Sequence, residues 1–348
     1  MIAIPVRSIV ATRSTNKPQE SAPSSDALKH RKLNIRTIQI ILGLTWIVAG
    51  ALQYQPFMFS PGFIGQIIAP VAQGQPTWIG DSITWSVQIM SHHLVFYNAI
   101  FATIQVLIGV GLLFRRSVKI ALLASFAWAF GVWWFGEGLG MIPMGMASPL
   151  TGAPGAVLLY GLVGALVWPL GLRKTGTEIE VEMPAPERVA GWAMPAGRII
   201  WAALWFLAAS LWLLPANRGA SSFHDQVQGA SYGWLGSIQR AMANAANGHG
   251  LGIAIGLALV SVLIGVGVFL PATARPALLV GAVLSLAYWA FGQSFGLLTT
   301  GTATDINAGP LFVLLALRLW IDPVQTHWRT AVQVSPWRDV RTLANGGI

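Results

Sequence analysis

The sequence predicts an all-α integral membrane protein of eight transmembrane helices. They fall into two parallel tandem four-helix units, related by a pseudo-twofold along the membrane normal. Three observations carry this expectation. Of 348 residues, 54% are hydrophobic and 9% charged, against roughly 25% charged in a soluble domain. Eight apolar segments approach the ~20 residues that a spanning helix needs. A shift of 156 residues lays one half of the chain on the other, with "VLIGVG" at 106–111 and again at 262–267.

Residues 1–33 are polar, basic and rich in Ser and Pro, with no apolar stretch long enough for a cleavable signal. They read as a disordered cytoplasmic tail. The first unit, 34–172, holds candidate spans at 36–55, 94–114, 119–136 and 153–172. An acidic, Pro-containing linker follows at 173–197. The second unit, 198–323, holds spans at 198–215, 250–270, 276–296 and 309–321, before a cytoplasmic C-terminal tail at 324–348. The last span is short and carries Arg318, which is expected to start earlier or to snorkel to the cytoplasmic interface.

Of the 21 Lys and Arg residues, 18 fall in the segments that share a side with the tail, whereas the opposite loops carry Arg218 and Arg240. This asymmetry follows the positive-inside rule and puts both termini on the cytoplasmic side. The net charge of +9 therefore reports topology and partnership with the lipid bilayer, not nucleic acid. The absence of cysteine excludes disulfides, thiolate metal sites and CxxC relays. The long loops at 56–93 and 216–249 contain "PTWIGDSITWSVQIM" and "YGWLGSIQRAM", which suit short amphipathic helices in the outer interface.

The repeat continues well beyond the glycine motif. It pairs Trp78 with Trp234, His93 with His249, Lys119 with Arg275, Trp133 with Trp289 and Pro154 with Pro310. It also pairs "FGEGLG" with "FGQSFG", so Glu137 faces Gln293 across the repeat. One register over some eighty residues is the mark of an internal repeat. Trp46 matches Trp205 at a shift of 159, which implies a short insertion in between. The glycines of both "VLIGVG" runs supply close-packing helix surfaces.

Glu137 is the acidic residue at the outer end of span three. Pro154 and Pro310 are expected at the first position of spans four and eight, leaving helix amides pointing outward. The candidate outer-face polar site comprises Glu137, Gln293, His93, His249 and Asp305. Glu137 has three readings: a cap for local amides, a proton-transfer or ligand-contact group, or an ion-pair partner of Arg218 or Arg240. His92 and His93 with Met141, Met144 and Met146 form a set that suits Cu(I). The repeat-matched positions of the sulfurs are Leu297, Thr300 and Thr302. Interfacial packing explains those methionines better, and no metal site is expected. Catalytic residues are not legible, and no P-loop, HExxH or GxSxG motif occurs.

With its F-G-[EQ]-x-x-G turns followed by Ala-Pro or Gly-Pro helix starts, the chain resembles a set of tandem bacterial membrane proteins, mainly from high-GC Gram-positive bacteria. More distantly, each unit is similar to the DoxX-like four-helix family, a likeness carried by Arg36, Trp46, Gly50 and the glycines of 106–111. That resemblance implies an accessory or quinone-interacting subunit of a redox system, with a redox partner in the membrane and membrane quinone as the cofactor to look for. Two other classes compete with it: a small-solute or proton transporter with Glu137 as relay, and a structural subunit of a larger membrane complex.

Overall fold

The computed structural model describes residues 34–169, 192–227 and 233–320. The expected tails at 1–33 and 324–348, and the linker up to residue 191, lie outside the described residues.

The first half runs α1 (Ile35–Gln53), α2 (Thr77–His92), α3 (Leu94–Leu113), α4 (Val118–Phe135) and α5 (Ala156–Leu166). The second runs α6 (Ala193–Trp212), the short α7 (Pro215–Arg218) and α8 (Ser222–Val227), then α9 (Gly233–Ala246), α10 (Gly250–Gly267), α11 (Ala274–Ala287) and α12 (Ala308–Trp320). Among the described residues, α1, α3, α4, α6, α10 and α11 with its continuation to Gly292 are long and apolar enough to cross a membrane. The chain is thus a helical, multi-pass membrane protein.

Local chemistry explains the helix ends. Asn34 Oδ1 accepts from Thr37 N at 2.9 Å and caps α1. Along α1 the buried residues Ile38, Leu42, Trp46 and Ala49 recur at helical spacing. The opposite face shows Ile40, Leu44 and Val48 outward. An apolar outer face would be a liability in water, but lipid is as apolar as those side chains.

The glycines act as packing surfaces. A Cβ on Gly109 would lie 2.5 Å from Gly43 O, so α1 and α3 touch backbone to backbone. Gly265 likewise faces Phe206 and Ala202 O on α6. A Cβ on Gly111 would lie 2.8 Å from Ala121 Cβ, and one on Gly267 2.8 Å from Ala277 Cβ. The turns after these helices match as well: Ser117 Oγ donates to Gly111 O at 2.7 Å, and Thr273 Oγ1 to Gly267 O at 2.9 Å.

The sequence overestimates span four. In place of 153–172, α5 covers 11 residues, about 16 Å at 1.5 Å per residue. Gly155 delays its start with a φ of 112°. Its end comes just before Trp168, which precedes Pro169 and is biased away from helical backbone. The helix α12 is also short, at 13 residues. These two helices pack on each other at the centre, α5 backed by α4 and α12 by α11, with α1 and α6 alongside. The segment 193–197, expected to be linker, already belongs to α6.

Arg318 does not snorkel. It is fully buried, and its Nε donates to Leu166 O at 2.9 Å. Gln39 Nε2 donates to Val167 O at 2.9 Å beside it. The C-terminal carbonyls of α5 are the negative end of a helix dipole, and a guanidinium from α12 satisfies them where water is excluded.

The expected loop helices are present as α2 and α9. Each is two-sided: α2 buries Ile79 and Ile83 under exposed Trp78 and Trp85, and α9 buries Leu235 and Ala243 under exposed Trp234.

Candidate functional site

The site grows from a rare backbone conformation that occurs twice. Directly after α4, Gly138, Leu139, Gly140 and Met141 have φ of 53°, 56°, 65° and 59°. After the α11 continuation, Ser294, Phe295, Gly296 and Leu297 follow with 49°, 55°, 66° and 56°. Left-handed backbone costs an L-residue about 1–2 kcal/mol, and five of these eight residues are not glycine. Each turn is buttressed. Gln75 Nε2 donates to Gly138 O at 3.1 Å, and Gln239 Nε2 donates to Phe291 O at 2.8 Å and Ser294 Oγ at 3.1 Å. Trp133 Nε1 donates to Pro154 O at 2.7 Å, and Trp289 Nε1 to Ile306 O at 2.8 Å. The same strained turn is thus held in both halves, each time with a tryptophan at the matched position.

The tryptophan bonds also correct the alignment of the prolines. In space Pro154 corresponds to Ile306, the residue before the cap of each central helix, not to Pro310. Pro154 lies outside α5 ahead of Gly155, and Pro310 is the third residue of α12. The first connection therefore contains four more residues between its left-handed turn and its helix.

Glu137 meets the start of α5. Its Oε1 accepts from Val157 N at 3.1 Å. Its Oε2 is buried and accepts no hydrogen bond. Gly155 makes room, because a Cβ there would lie 2.2 Å from that oxygen. Asp305 does the same for α12, accepting from Asn307 N, while Asn307 Oδ1 accepts from Ala308 N at 2.8 Å. The two carboxylates interact through space, and both act on the Tyr160 hydroxyl. Tyr160 is buried, donates to Thr45 O at 3.4 Å and packs on Trp46 with ring centroids 4.3 Å apart.

Two effects oppose at these acids. Burial first, and the Asp305 charge second, push the Glu137 carboxyl up to about 8, against the pull of the Val157 and Ala156 amides. Burial lifts Asp305 to about 6, against the Asn307 amide. Burial wins at both because neither carboxylate is in an ion pair among the described residues. Arg218 and Arg240, the expected partners, are exposed, and Arg240 donates to Ser237 in its own helix. Near neutral pH the two carboxyls, taken as a pair, hold about one proton.

The counterpart in the second half lacks every ionisable member. Gln293 replaces Glu137, Ala153 takes the place of Asp305 by the match of Pro154 with Ile306, and Phe312 stands where α5 has Tyr160, four residues after its first residue. Gln293, Pro149 and Phe312 line one cavity with Trp205, the match of Trp46. In both places the loop of one half enters the other. Leu150 packs with Ala209, Trp212 and Tyr288. Asn217 Nδ2 donates to Ala147 O at 2.8 Å, and Gln55 Nε2 to Ala303 O at 3.3 Å.

The remaining expected residues make other contacts or face outward. His93 and His249 are exposed at the α2–α3 and α9–α10 junctions, and His249 Nδ1 contacts Asn247 O at 3.1 Å. His92 is also exposed. Met141 and Met144 sulfurs converge on Gln75 Nε2 at 3.7 and 4.0 Å, while Met146 is 62% exposed. Tyr160 was missed by the sequence reading. Its signal was available in its position on α5, but its role depends on Asp305 arriving from the other half. No protein-family model, curated protein or solved structure matches the chain.

Proposed function

We propose that this chain is a proton-handling transport protein of the bacterial plasma membrane. In this reading it has eight spans in two parallel four-helix units, with α5 and α12 as the short central spans and both termini cytoplasmic. Matched left-handed turns, matched glycine contacts and the exchange of loops between halves support the tandem reading. The lysine and arginine distribution supports the orientation, which puts Glu137 and Asp305 at the outer face.

The observation that carries the function is the pair of uncompensated carboxylates, one from each half, converging beside Tyr160. A carboxyl with an unbonded, buried Oε2 and no cationic partner among the described residues is arranged to take up and release a proton rather than to brace the fold. The pair shares a proton near neutral pH, and the ionisation of Asp305 discourages that of Glu137. Because the pair joins the two halves, protonation changes the electrostatic balance between them.

The DoxX-like residues do structural work that needs no redox partner. Arg36 donates to Leu112 O and Leu113 O at the end of α3. Trp46 Nε1 donates to Ser125 Oγ at 3.0 Å, and Gly50 admits the backbone of α3.

The test is proton entry into proteoliposomes carrying a trapped pH indicator, driven by a potassium diffusion potential. The full chain should pass protons faster than empty liposomes, and Glu137→Gln should return the rate to that background. Equal rates for the chain and empty liposomes would sink the proposal. Quinone co-extracted in stoichiometric amount, without proton entry, would favour the redox-accessory reading instead.

A further inference from the structure

The cavity in the second half contains two buried polar groups left without partners. Trp205 is 2% exposed, and its Nε1 donates to nothing; Gln293 is 7% exposed, and its Oε1 accepts nothing. Both residues line the cavity, whose other walls include Pro149, Ala153, Ser285, Tyr288 and Phe312. Burying an unpaired donor and an unpaired acceptor costs about 1–3 kcal/mol each.

The first half shows how the indole is satisfied when the fold provides for it. There Ser125 Oγ accepts from Trp46 Nε1 at 3.0 Å. The matching residue in the second half is Gly281, and no side chain fits: a Cβ would lie 2.4 Å from the Trp201 ring and 3.0 Å from the Trp205 ring. The serine hydroxyl is thus missing for a steric reason, with a cavity beside the bare indole. The nearby Ser285 and Tyr288 hydroxyls are engaged, with Gly281 O at 2.8 Å and Trp212 Nε1 at 3.3 Å.

We infer that this cavity binds an uncharged hydroxyl, from water or a small alcohol, which accepts from Trp205 Nε1 and donates to Gln293 Oε1. A hydroxyl is the smallest group that offers one acceptor and one donor together, so it completes both residues at once. A charged ligand is disfavoured because the cavity walls carry no ionisable group opposite in sign, unlike the Glu137 side of the molecule. The cavity is narrow, which suits a hydroxyl-bearing group and not a large head group. This site does not depend on proton transport, and its test reads Trp205 directly.

The full chain is labelled with fluorotryptophan, placed in lipid nanodiscs and followed by fluorine NMR, with the Trp205 resonance assigned by its loss in Trp205→Phe. Two outcomes support the inference and identify the source. A shift on exchanging water for deuterium oxide that ethanol leaves unaltered assigns the hydroxyl to water. A saturable shift on titration with ethanol assigns it to an alcohol. In Gln293→Met, which keeps the side-chain length but removes the acceptor, the isotope shift should vanish, or the ethanol affinity should fall about tenfold, as expected for loss of about 1.4 kcal/mol. The remaining tryptophan resonances should stay in place, showing that the fold is kept. A Trp205 resonance indifferent to both deuterium oxide and ethanol overturns the inference, as does a response unchanged in Gln293→Met with the fold intact.

Discussion

Glu137→Gln is a nearly isosteric probe of the acid pair. It keeps the Oε1 acceptor for Val157 N and the side-chain volume beside Gly155, and removes only ionisation. In the folded parent the carboxyl titrates near about 8, against an ordinary value of 4.5. A carboxyl raised by folding contributes its full stability below the unfolded value and loses it as the pH climbs through the folded value. The parent should therefore weaken between about pH 4.5 and 8. The spread corresponds to about 5 kcal/mol at most, reduced in practice because Glu137 keeps part of its surface exposed. Glu137→Gln should match the parent near about pH 5 and exceed it near about pH 9, with a flatter profile between. Asp305→Asn removes the neighbouring charge that assists burial, so the parent's midpoint should move to lower pH. Thermal unfolding of nanodisc-embedded protein, followed by circular dichroism across that range, reads all three. Parallel pH profiles for the parent and Glu137→Gln would refute the reasoning, because they would show that folding does not hold this carboxyl protonated.

Gly155→Ala should disturb the same site by another route. The φ of 112° and the 2.2 Å approach to Glu137 Oε2 leave no place for a methyl group, so a loss of about 1–3 kcal/mol is expected with proton entry abolished. Gly109→Ala should part α1 from α3 and lower the unfolding temperature by several degrees, since the methyl would sit 2.5 Å from Gly43 O. Gly131→Ala is its control: nothing lies within 4 Å, so it should be neutral or stabilising by up to about 1 kcal/mol. Equal losses for the two glycines would contradict the close-packing account. For the orientation, Ser222→Cys should react with an impermeant thiol reagent from outside intact cells and Thr177→Cys should not. The opposite pattern would invert the topology.

The membrane class was legible in the sequence because hydrophobicity and charge placement act locally, residue by residue. Lipid asks only for apolar side chains and satisfied backbone, and helices meet both demands without reference to the rest of the chain. The positions of α1, α3, α4 and α10 follow from that. The glycine contacts were legible for a similar reason, since a residue without Cβ at helical spacing has few other uses in a span. The length of α5 was not. It depends on Gly155 opening space for the carboxylate of Glu137, eighteen residues earlier in the chain, and on the bias that Pro169 imposes on Trp168. The environment of Arg318 also lay beyond the sequence, because its partner is the carbonyl end of α5, 152 residues away. The same holds for the acids. Glu137 stood out by itself as a charge at the end of an apolar run, but only the crossing of the two connecting loops brings Asp305 to it and leaves Ala153 with Gln293. A local rule can mark a residue as costly. Which group shares that cost is settled by packing between segments far apart in the chain, and a one-dimensional pattern does not encode that distance.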